Sequence, residues 1–524
     1  MISLFRSLMC LLLPVALLNA QAPASPKAPG KAKASKSARP VPAASSKGPE
    51  TAQPKSLLKV NVTAQPYSLH FPWQKESPNN SRGLGVVLEG NRVLVTAQMV
   101  ADATYIEMEL PDTGQKIPAK VVAVDYEANL ALIESALPEA MQKSFFAGLR
   151  PMGLDTGSRV GDSVSVWQAG RVGDLIETPL NVSKVLIRRY IVEGSSFLVY
   201  EATGIIRSEA NSFTLPVIKG NKLVGLLLSY DSKNQVTTIL PAPIIEHFLK
   251  DFADGGYEGF PGLGMEYQVT LDEQLREFLG LKPDAPGVFI TGVIKNASAE
   301  KAGLKKGDIL VSIDGNAIDA RGDYRDPVYG ALNASHLVRG RAYVGDKFEL
   351  GVLRDGKPQT LSGTLARKKP EDYLVPPYAF DRGPRYVLMG GLLFQELSKP
   401  YLDAFGEQQS ENASLLRLGH IAAHPDEIEA SGRKKLVFLS MVLPTPSAQG
   451  YDRLGGIIVN KVNGHAIGDL NDLDAAFKDV KGAAHAIELD DFPRVLHLDA
   501  MAAERDNLRL QGGAYRIPAL KRLE

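Results

Sequence analysis

From Leu57 onward apolar and polar residues alternate in short runs, the period-two pattern of half-buried β-strands. Val60-Asn61-Val62, Leu84–Leu88, Val93–Thr96, Tyr105–Leu110, Ala119–Val124 and Leu130–Ile133 are the clearest runs. Glu89-Gly90-Asn91 and Asp112-Thr113-Gly114 read as close turns between them. Many short strands at even spacing with few helical stretches predict an all-β barrel or sandwich that continues to about Leu240. Pro243–Phe252 then switches to a helical period and predicts a helix closing a first domain over 57–252.

A second unit is expected over 258–368. It holds a strand at Val288-Phe289-Ile290, a helical turn at Ala299–Ala302, and a strand Ile309–Ile313 that runs into Asp314-Gly315. A third, over 370–524, repeats the theme in Gly456–Val462 followed by Asn463-Gly464. Asp-Gly and Asn-Gly at a strand end are hairpin signals, because both central residues of the turn need positive φ. The two copies predict one domain type used twice.

The N-terminus changes the picture. One basic residue, Arg6, precedes a short apolar run Ser7–Leu18, and small residues follow at Ala20 and Ala22. This is the anatomy of a secretory signal peptide over 1–20, too short to span a bilayer, and it predicts export to a periplasm or the extracellular space. Residues 21–56 are rich in Ala, Pro, Ser and Lys and carry seven basic residues against Glu50 alone. Such a stretch cannot bury enough apolar surface to order itself and predicts a disordered spacer. Cys10, the only cysteine, would leave with the signal peptide, so no disulfide is expected. Lys+Arg and Asp+Glu balance at 59 each, so net charge points to neither nucleic acid nor an anionic membrane.

The candidate chemistry comes from a resemblance. Gly83-Leu84-Gly85-Val86-Val87, Leu94–Val100, Asp102-Ala103, Asn129–Ile133, Val224-Gly225-Leu226 and Ile239-Leu240-Pro241 follow, in order and spacing, segments of the HtrA/Deg serine proteases. The resemblance implies a mainly β fold: a trypsin-like double β-barrel, then two PDZ domains, each a β-sandwich with helices. It also places catalytic positions on residues that do not suit them. Gln98 stands where the resemblance puts the histidine, and Asn129 where it puts the aspartate. Ala210-Asn211-Ser212-Phe213-Thr214-Leu215-Pro216 replaces the family's G-N-S-G-G-P, so Ser212 persists without its glycine frame. An amide does not take a proton from a serine hydroxyl at neutral pH. An asparagine in the acid's place costs about 10⁴ in kcat in the serine-protease precedent. Thr and Phe in place of glycine resist the backbone turn that aims N–H groups at an oxyanion.

No histidine occurs between Phe71 and Glu246, and His70 and His247 lie outside the strands that would face Ser212. A Ser-Lys pair through Lys219 or Lys222 is disfavoured because both flank the hairpin turn Gly220-Asn221. His420 and His424 are four apart but precede Pro425 with no framing carboxylates, and read as a surface-loop pair. No metal or other cofactor is expected.

The second unit resembles a PDZ domain of the HtrA/Deg type, which implies that Gly262-Leu263-Gly264-Met265 is the loop whose N–H groups hold a peptide carboxylate. The stretch Ala320–Tyr343 is an unusually long insertion, expected to shape the groove or to touch a neighbouring subunit. The third unit resembles the divergent second PDZ domain of plant-type Deg proteases through Gly390–Tyr401, Phe438–Leu443 and Ala500–Pro518. It lacks a convincing carboxylate loop, which favours docking over ligand binding. Family members are commonly trimers, and Tyr67, Phe71 and Trp73 suit either a trimer contact or core packing. The expected function is that of a pseudoprotease scaffold binding peptide C-termini or unfolded envelope proteins. The rivals are an endopeptidase that uses Ser212 with an unconventional base, and a purely structural oligomer component.

Overall fold

Six antiparallel strands close on themselves at the start of the described chain. They are β1 (Leu57–Ala64), β2 (Asn79–Leu88), β3 (Arg92–Val95), β4 (Ala103–Glu109), β5 (Lys116–Asp125) and β6 (Leu130–Ser135), in the order β1-β2-β3-β6-β5-β4. The computed structural model describes residues 54–524 except 171–173, 191, 193, 207–213, 254, 283–284, 407–411, 426–427, 429–431 and 513–514. The expected signal peptide, nearly all of the spacer, and Ser212 with Ala210, Asn211 and Phe213 therefore lie outside the described residues.

The barrel interior follows the alternation read from sequence. Leu58, Val60 and Val62 of β1 meet Val93, Val95, Met108, Ala131 and Ile133 inside, each almost completely buried. Gly85 sits where a Cβ would come within 2.3 Å of Val93 Cγ1 and 2.9 Å of Val60 Cγ2, so the interior leaves no room for a side chain there.

A second set of strands follows: β7 (Gly153–Leu154), β8 (Ser163–Ala169), β9 (Leu175–Arg189), β10 (Ser196–Thr203), β11 (Pro216–Lys219), β12 (Lys222–Asp231) and β13 (Val236–Pro241). The sheet order is β11-β8-β9-β10-β13-β12-β7, and a further pairing of β11 with β12 closes six of these strands into a second ring. Helix Ala242–Ala253 buries Ile244, Ile245 and Phe248 against it, close to the predicted Pro243–Phe252. The fold is mainly β, with the double barrel the resemblance implied.

The next sheet runs β14 (Met265–Gln268), β15 (Val288–Val293), β16 (Ile309–Ile313), then β20 (Lys347–Arg354) and β21 (Lys357–Thr364), with β17 (Asn316–Ala317) folded back on β16. Asp314 (φ 47°) and Gly315 (φ 74°) make the tight turn between β16 and β17, as Asp-Gly predicted. The insertion is an antiparallel hairpin, β18 (Asp323–Asp326) with β19 (Gly330–Asn333), followed by helix Ser335–Arg339. It rests on the second barrel of the same chain: β19 lies against β9, helix Ser335–Arg339 against β10, and Tyr329 and Tyr200 share a hydroxyl hydrogen bond of 3.0 Å. Apolar residues of the second barrel and of this sheet accordingly form one continuous core.

The last sheet has the order β28 (Val495–Asp499), β27 (Ala484–Leu489), β25 (Ile457–Val462), β24 (Val437–Val442), β23 (Leu392–Glu396), β22 (Tyr386–Met389), β29 (Lys521–Arg522), with β26 (His465–Ala466) on β25. Asn463 (φ 52°) and Gly464 (φ 86°) repeat the Asp314-Gly315 turn. Helices Ala413–Ala423, Leu470–Lys478 and Ala500–Gly512 complete the unit.

All three aromatic residues expected at an oligomer contact or in the core make ring contacts within the chain, Phe71 with Trp73 at 5.9 Å. Trp73 is buried edge-on to Tyr386 at 6.0 Å, and the Arg522 guanidinium lies 4.3 Å from the Tyr67 ring. Phe71 is exposed. The His420/His424 pair is also corrected: His420 lies on helix Ala413–Ala423 rather than in a loop, with His424 at its C-terminal end. Helix geometry puts residues four apart on one face, and the two rings stand 4.5 Å apart.

Candidate functional site

Of the three positions that the resemblance makes catalytic, Gln98 and Asn129 meet near the seam between the barrels, while Ser212 lies outside the described residues. Thr96 starts the single helical turn Ala97–Val100. Its N–H donates to Thr214 Oγ1 at 3.0 Å, and the two hydroxyls lie 2.9 Å apart. Leu84 N–H donates to the Thr214 carbonyl at 3.1 Å. Gly83 makes this approach possible: a Cβ there would stand 2.8 Å from Thr214 N and 2.9 Å from Met99 Sδ. The segment that follows Ser212 is therefore clamped between β2, the helical turn and β12, where Leu227 N–H donates to the Leu215 carbonyl at 2.9 Å.

Gln98 and Asn129 meet at this seam. Asn129 is buried in a left-handed conformation (φ 56°) at the end of the turn between β5 and β6. Its Oδ1 accepts from the backbone N–H of Gln98 at 2.9 Å. An N–H at a helix start has no partner within the helix, so the side chain satisfies an otherwise orphaned donor. An aspartate would accept the same bond. The Gln98 side chain itself is exposed and, among the described residues, makes no hydrogen bond.

Nothing titratable near neutrality is brought to this seam among the described residues. His70 stacks edge-on to Phe405 at 4.6 Å. His247 is wedged between Phe260 and Tyr343 with ring centroids 4.4 and 4.0 Å away, its Nε2 bonded to the Ala342 carbonyl. Burial lowers its pKa. Lys219 is held by Asp162 at 2.8 Å, and that hydrogen bond raises its pKa, so it stays protonated. No set of three histidine, cysteine, aspartate or glutamate side chains that could hold a metal occurs among the described residues.

The second site is the groove at Gly262-Leu263-Gly264-Met265. Gly262 N–H donates to the Ala366 carbonyl at 3.1 Å, while Ser298 Oγ donates to the Gly262 carbonyl at 2.8 Å. Ile294 N–H donates to the Gly264 carbonyl at 2.8 Å, and Ala299 N–H to that of Leu263 at 2.9 Å. The carbonyls are thus turned inward and fixed. The N–H groups of Leu263 and Gly264 have no acceptor among the described residues. Gly264 holds φ at +71°, and a Cβ there would sit 2.2 Å from Ala297 Cβ. Two free amides at such a turn form a nest for an anion.

Met265 opens β14, which is the edge strand of its sheet and so offers an unpaired side. The groove beside it encloses about 1060 Å³. Leu263, Val288, Leu310, Ile318 and Val338 contribute its apolar lining. The last sheet offers no such edge at its corresponding glycines. Gly390 and Gly391 precede β23, which is paired on both sides, by β22 and β24. Gly390 N–H donates to Asn507 Oδ1, and its carbonyl accepts from Thr445 and Ser447.

One feature between the two sites had no signal in the sequence. Asp125 and Glu127, on the turn that leads to Asn129, are buried. Arg367 lies 3.3 Å from each of their carboxylates, and Arg339 bonds Glu127 at 2.9 Å. Tyr257 donates to Asp125 Oδ2 at 2.6 Å. Burial alone would lower the pKa of Arg367, but the two carboxylates outweigh it and raise the pKa. Arg339 ends the helix beside the groove, and Arg367 follows the Ala366 that holds Gly262. Only tertiary proximity joins Glu127 to Arg339 and Arg367, both more than 200 positions away in sequence.

Residues 261–365 and 375–520 each match a PDZ domain family. Protease Do-like 4, mitochondrial, of Arabidopsis thaliana is 30% identical over 354 residues, covering 67% of this chain and 66% of that one. Protease Do-like 2, chloroplastic, of the same organism is 26% identical over 424 residues, 80% of this chain and 67% of its own. The periplasmic serine endoprotease DegP of Escherichia coli is 27% identical over 283 residues, 52% and 55% of the two chains. Among solved structures, HtrA-type protease AlgW with decapeptide gives a TM-score of 0.45 at 21% identity, over 60% of this chain and 96% of that one. The chain is a homologue of the Do-like and DegP proteases and carries two PDZ domains.

Proposed function

We propose that this protein is an exported pseudoprotease, in which the double barrel serves as scaffold and the first PDZ domain captures the C-termini of other proteins. The observation that carries the reading is the junction of Gln98 and Asn129, where an amide side chain stands and no base is supplied. A serine hydroxyl needs a proton acceptor with a pKa near the working pH, and an amide has none. The free N–H groups of Leu263 and Gly264 and the open edge of β14 support peptide capture, since a chain terminus can place its carboxylate on the nest and add as a strand. The charge pattern of the N-terminus supports export, and no described helix is long and apolar enough to cross a membrane. Unfolded envelope proteins are the clients this reading expects, met by a homo-oligomer of the trimeric kind.

The test is cleavage of unfolded casein beside a Ser212→Ala variant, with a fluorophosphonate probe in the same samples. The expected result is no turnover and no labelling in either. Turnover or labelling abolished by Ser212→Ala would refute the reading.

A further inference from the structure

The lining of the first PDZ groove is strongly one-signed although the chain as a whole is neutral. Nine lysines and arginines line it against three carboxylates. Arg339, Arg367 and Arg385 are paired with Glu127, Asp125 and Glu396, and Lys434 lies 3.9 Å from Asp469. That leaves Lys295, Lys301 and Lys368, with Arg433 and Lys435 of the second PDZ domain, outside any ion pair among the described residues. Lys295 and Lys301 stand beside the loop. Lys295 follows Ile294, which anchors the Gly264 carbonyl, and Lys301 ends the short helix whose Ser298 anchors Gly262. Both are exposed and have no ion-pair partner among the described residues.

Across the groove, among the described residues Arg433 bonds only neutral acceptors: the Val459 carbonyl at 3.0 Å and Asn460 Oδ1 at 2.7 Å. Lys435 likewise bonds the backbone carbonyls of Glu371 and Tyr373, at 2.6 and 2.5 Å. Both are half-buried, and burial lowers the pKa of each. The three acidic residues of the lining are already engaged. Glu371 pairs with Arg382 at 2.9 Å, Asp372 accepts from Lys369 N–H at 3.1 Å, and Asp469 caps helix Leu470–Lys478. Cations held by neutral groups in a partly desolvated cleft leave a positive field that an incoming anion can neutralise.

We propose that the groove selects protein C-termini in which glutamates or aspartates shortly precede an apolar last residue, and that the second PDZ domain supplies part of that selection. This rests on the peptide-capture reading above and adds the ligand's chemistry. The apolar lining takes the last side chain, the Leu263 and Gly264 amides take the terminal carboxylate, and the basic walls take the acidic residues upstream. The chain's own spacer does not suit the groove, because residues 21–56 carry seven basic residues against one acidic. A nest of two amides beside an edge strand also fits a terminal carboxylate on an extended backbone better than it fits a duplex or a lipid headgroup.

The experiment is fluorescence anisotropy of the full secreted chain with labelled decapeptides that end in the same three apolar residues. Four positions upstream are glutamate, glutamine or lysine, and each peptide is made with a free and an amidated terminus. The glutamate peptide with a free carboxylate is expected to bind about ten-fold more tightly than the glutamine one, with the advantage shrinking as salt rises. Lys295→Gln with Lys301→Gln, and separately Lys434→Gln on the exposed wall of the second PDZ domain, are expected to shrink that advantage, weakening the glutamate peptide by a larger factor than the glutamine one. Equal, carboxylate-dependent binding of glutamate and glutamine peptides would overturn the proposal and leave peptide capture standing. Saturation by none of the peptides would overturn both. Amidated glutamate peptides binding as well as free ones would overturn it in favour of a general polyanion surface.

Discussion

Two glycines show how single backbone positions set the sites. Gly264 combines positive φ with a Cβ position 2.2 Å from Ala297, so any side chain is doubly excluded. Gly264→Val should tilt the Leu263 and Gly264 amides away from the nest and weaken terminal-peptide binding by at least about 30-fold, equivalent to ~2 kcal/mol. Anisotropy titration reads this, with circular dichroism to show that the fold persists. Gly83 has ordinary φ, but a Cβ would press on the Thr214 backbone and on Met99. Gly83→Ala should cost about 1–3 kcal/mol by denaturant unfolding, because backbone cannot move aside as a flexible side chain can. Gln98 is different: its side chain is exposed and bonded to nothing among the described residues, so Gln98→Ala should leave the unfolding midpoint within about 0.5 kcal/mol. A large loss there would show an interaction of the amide side chain that the present geometry lacks.

At the scale of elements, the turn between β5 and β6 performs a structural task. Asn129 in a left-handed conformation aims Oδ1 at the first turn of helix Ala97–Val100. Asn129→Ala should lower stability by about 1–2 kcal/mol, since the Gln98 N–H loses its acceptor in a part-buried bond, while Asn129→Asp should be tolerated. Equal losses for the two variants would show that the hydrogen bond is not what the residue contributes. The two PDZ sheets make a second contrast of elements. β14 keeps a free edge beside unbonded amides, whereas β23 is paired on both sides and its glycine turn is filled by Asn507, Thr445 and Ser447. A strand with both edges occupied cannot take up a further strand, so the second PDZ domain contributes wall rather than ledge.

Across the whole molecule, buried charge ties the first PDZ domain to the barrels. Removing Arg367 would leave Asp125 and Glu127 buried with only Arg339 and neutral donors. Arg367→Met should destabilise by about 3–5 kcal/mol, as breaking one side of a buried ion cluster does, and should expose the connection near residue 367 to limited proteolysis. His336, on the helix that seats this domain against β10, supplies a pH dependence. Burial, with help from Arg341, pushes its pKa down to about 4, and Nδ1 has no hydrogen-bond partner among the described residues. The folded value lies below the ordinary value of about 6.5, so the unfolded chain takes up the proton first as pH falls. Stability from this group is complete above about pH 6.5 and declines down to about pH 4, by at most about 3 kcal/mol. Thermal unfolding at pH 7.5 and 5 should show the decline, and His336→Gln should remove its share; His247 and His485, also pushed down by burial, retain theirs.

The sequence by itself determined the local grammar of this protein. Alternation fixes strand faces, and Asp314-Gly315 and Asn463-Gly464 fix two turns, because each depends on neighbours within a few residues. The juxtaposition of Gln98 with Asn129 was legible too, through the spacing that the family resemblance supplies. Tertiary structure decided the rest. Asp125 and Glu127 find Arg339 and Arg367 more than 200 residues away, the insertion after Ala320 folds onto the chain's own barrel, and Arg433 and Lys435 become a wall of another domain's groove. Charged residues carry no local mark of their partners: a lysine on a solvated face and one facing a cleft have the same sequence signature. Packing of separate domains against one another chooses between them, and no local pattern encodes that choice.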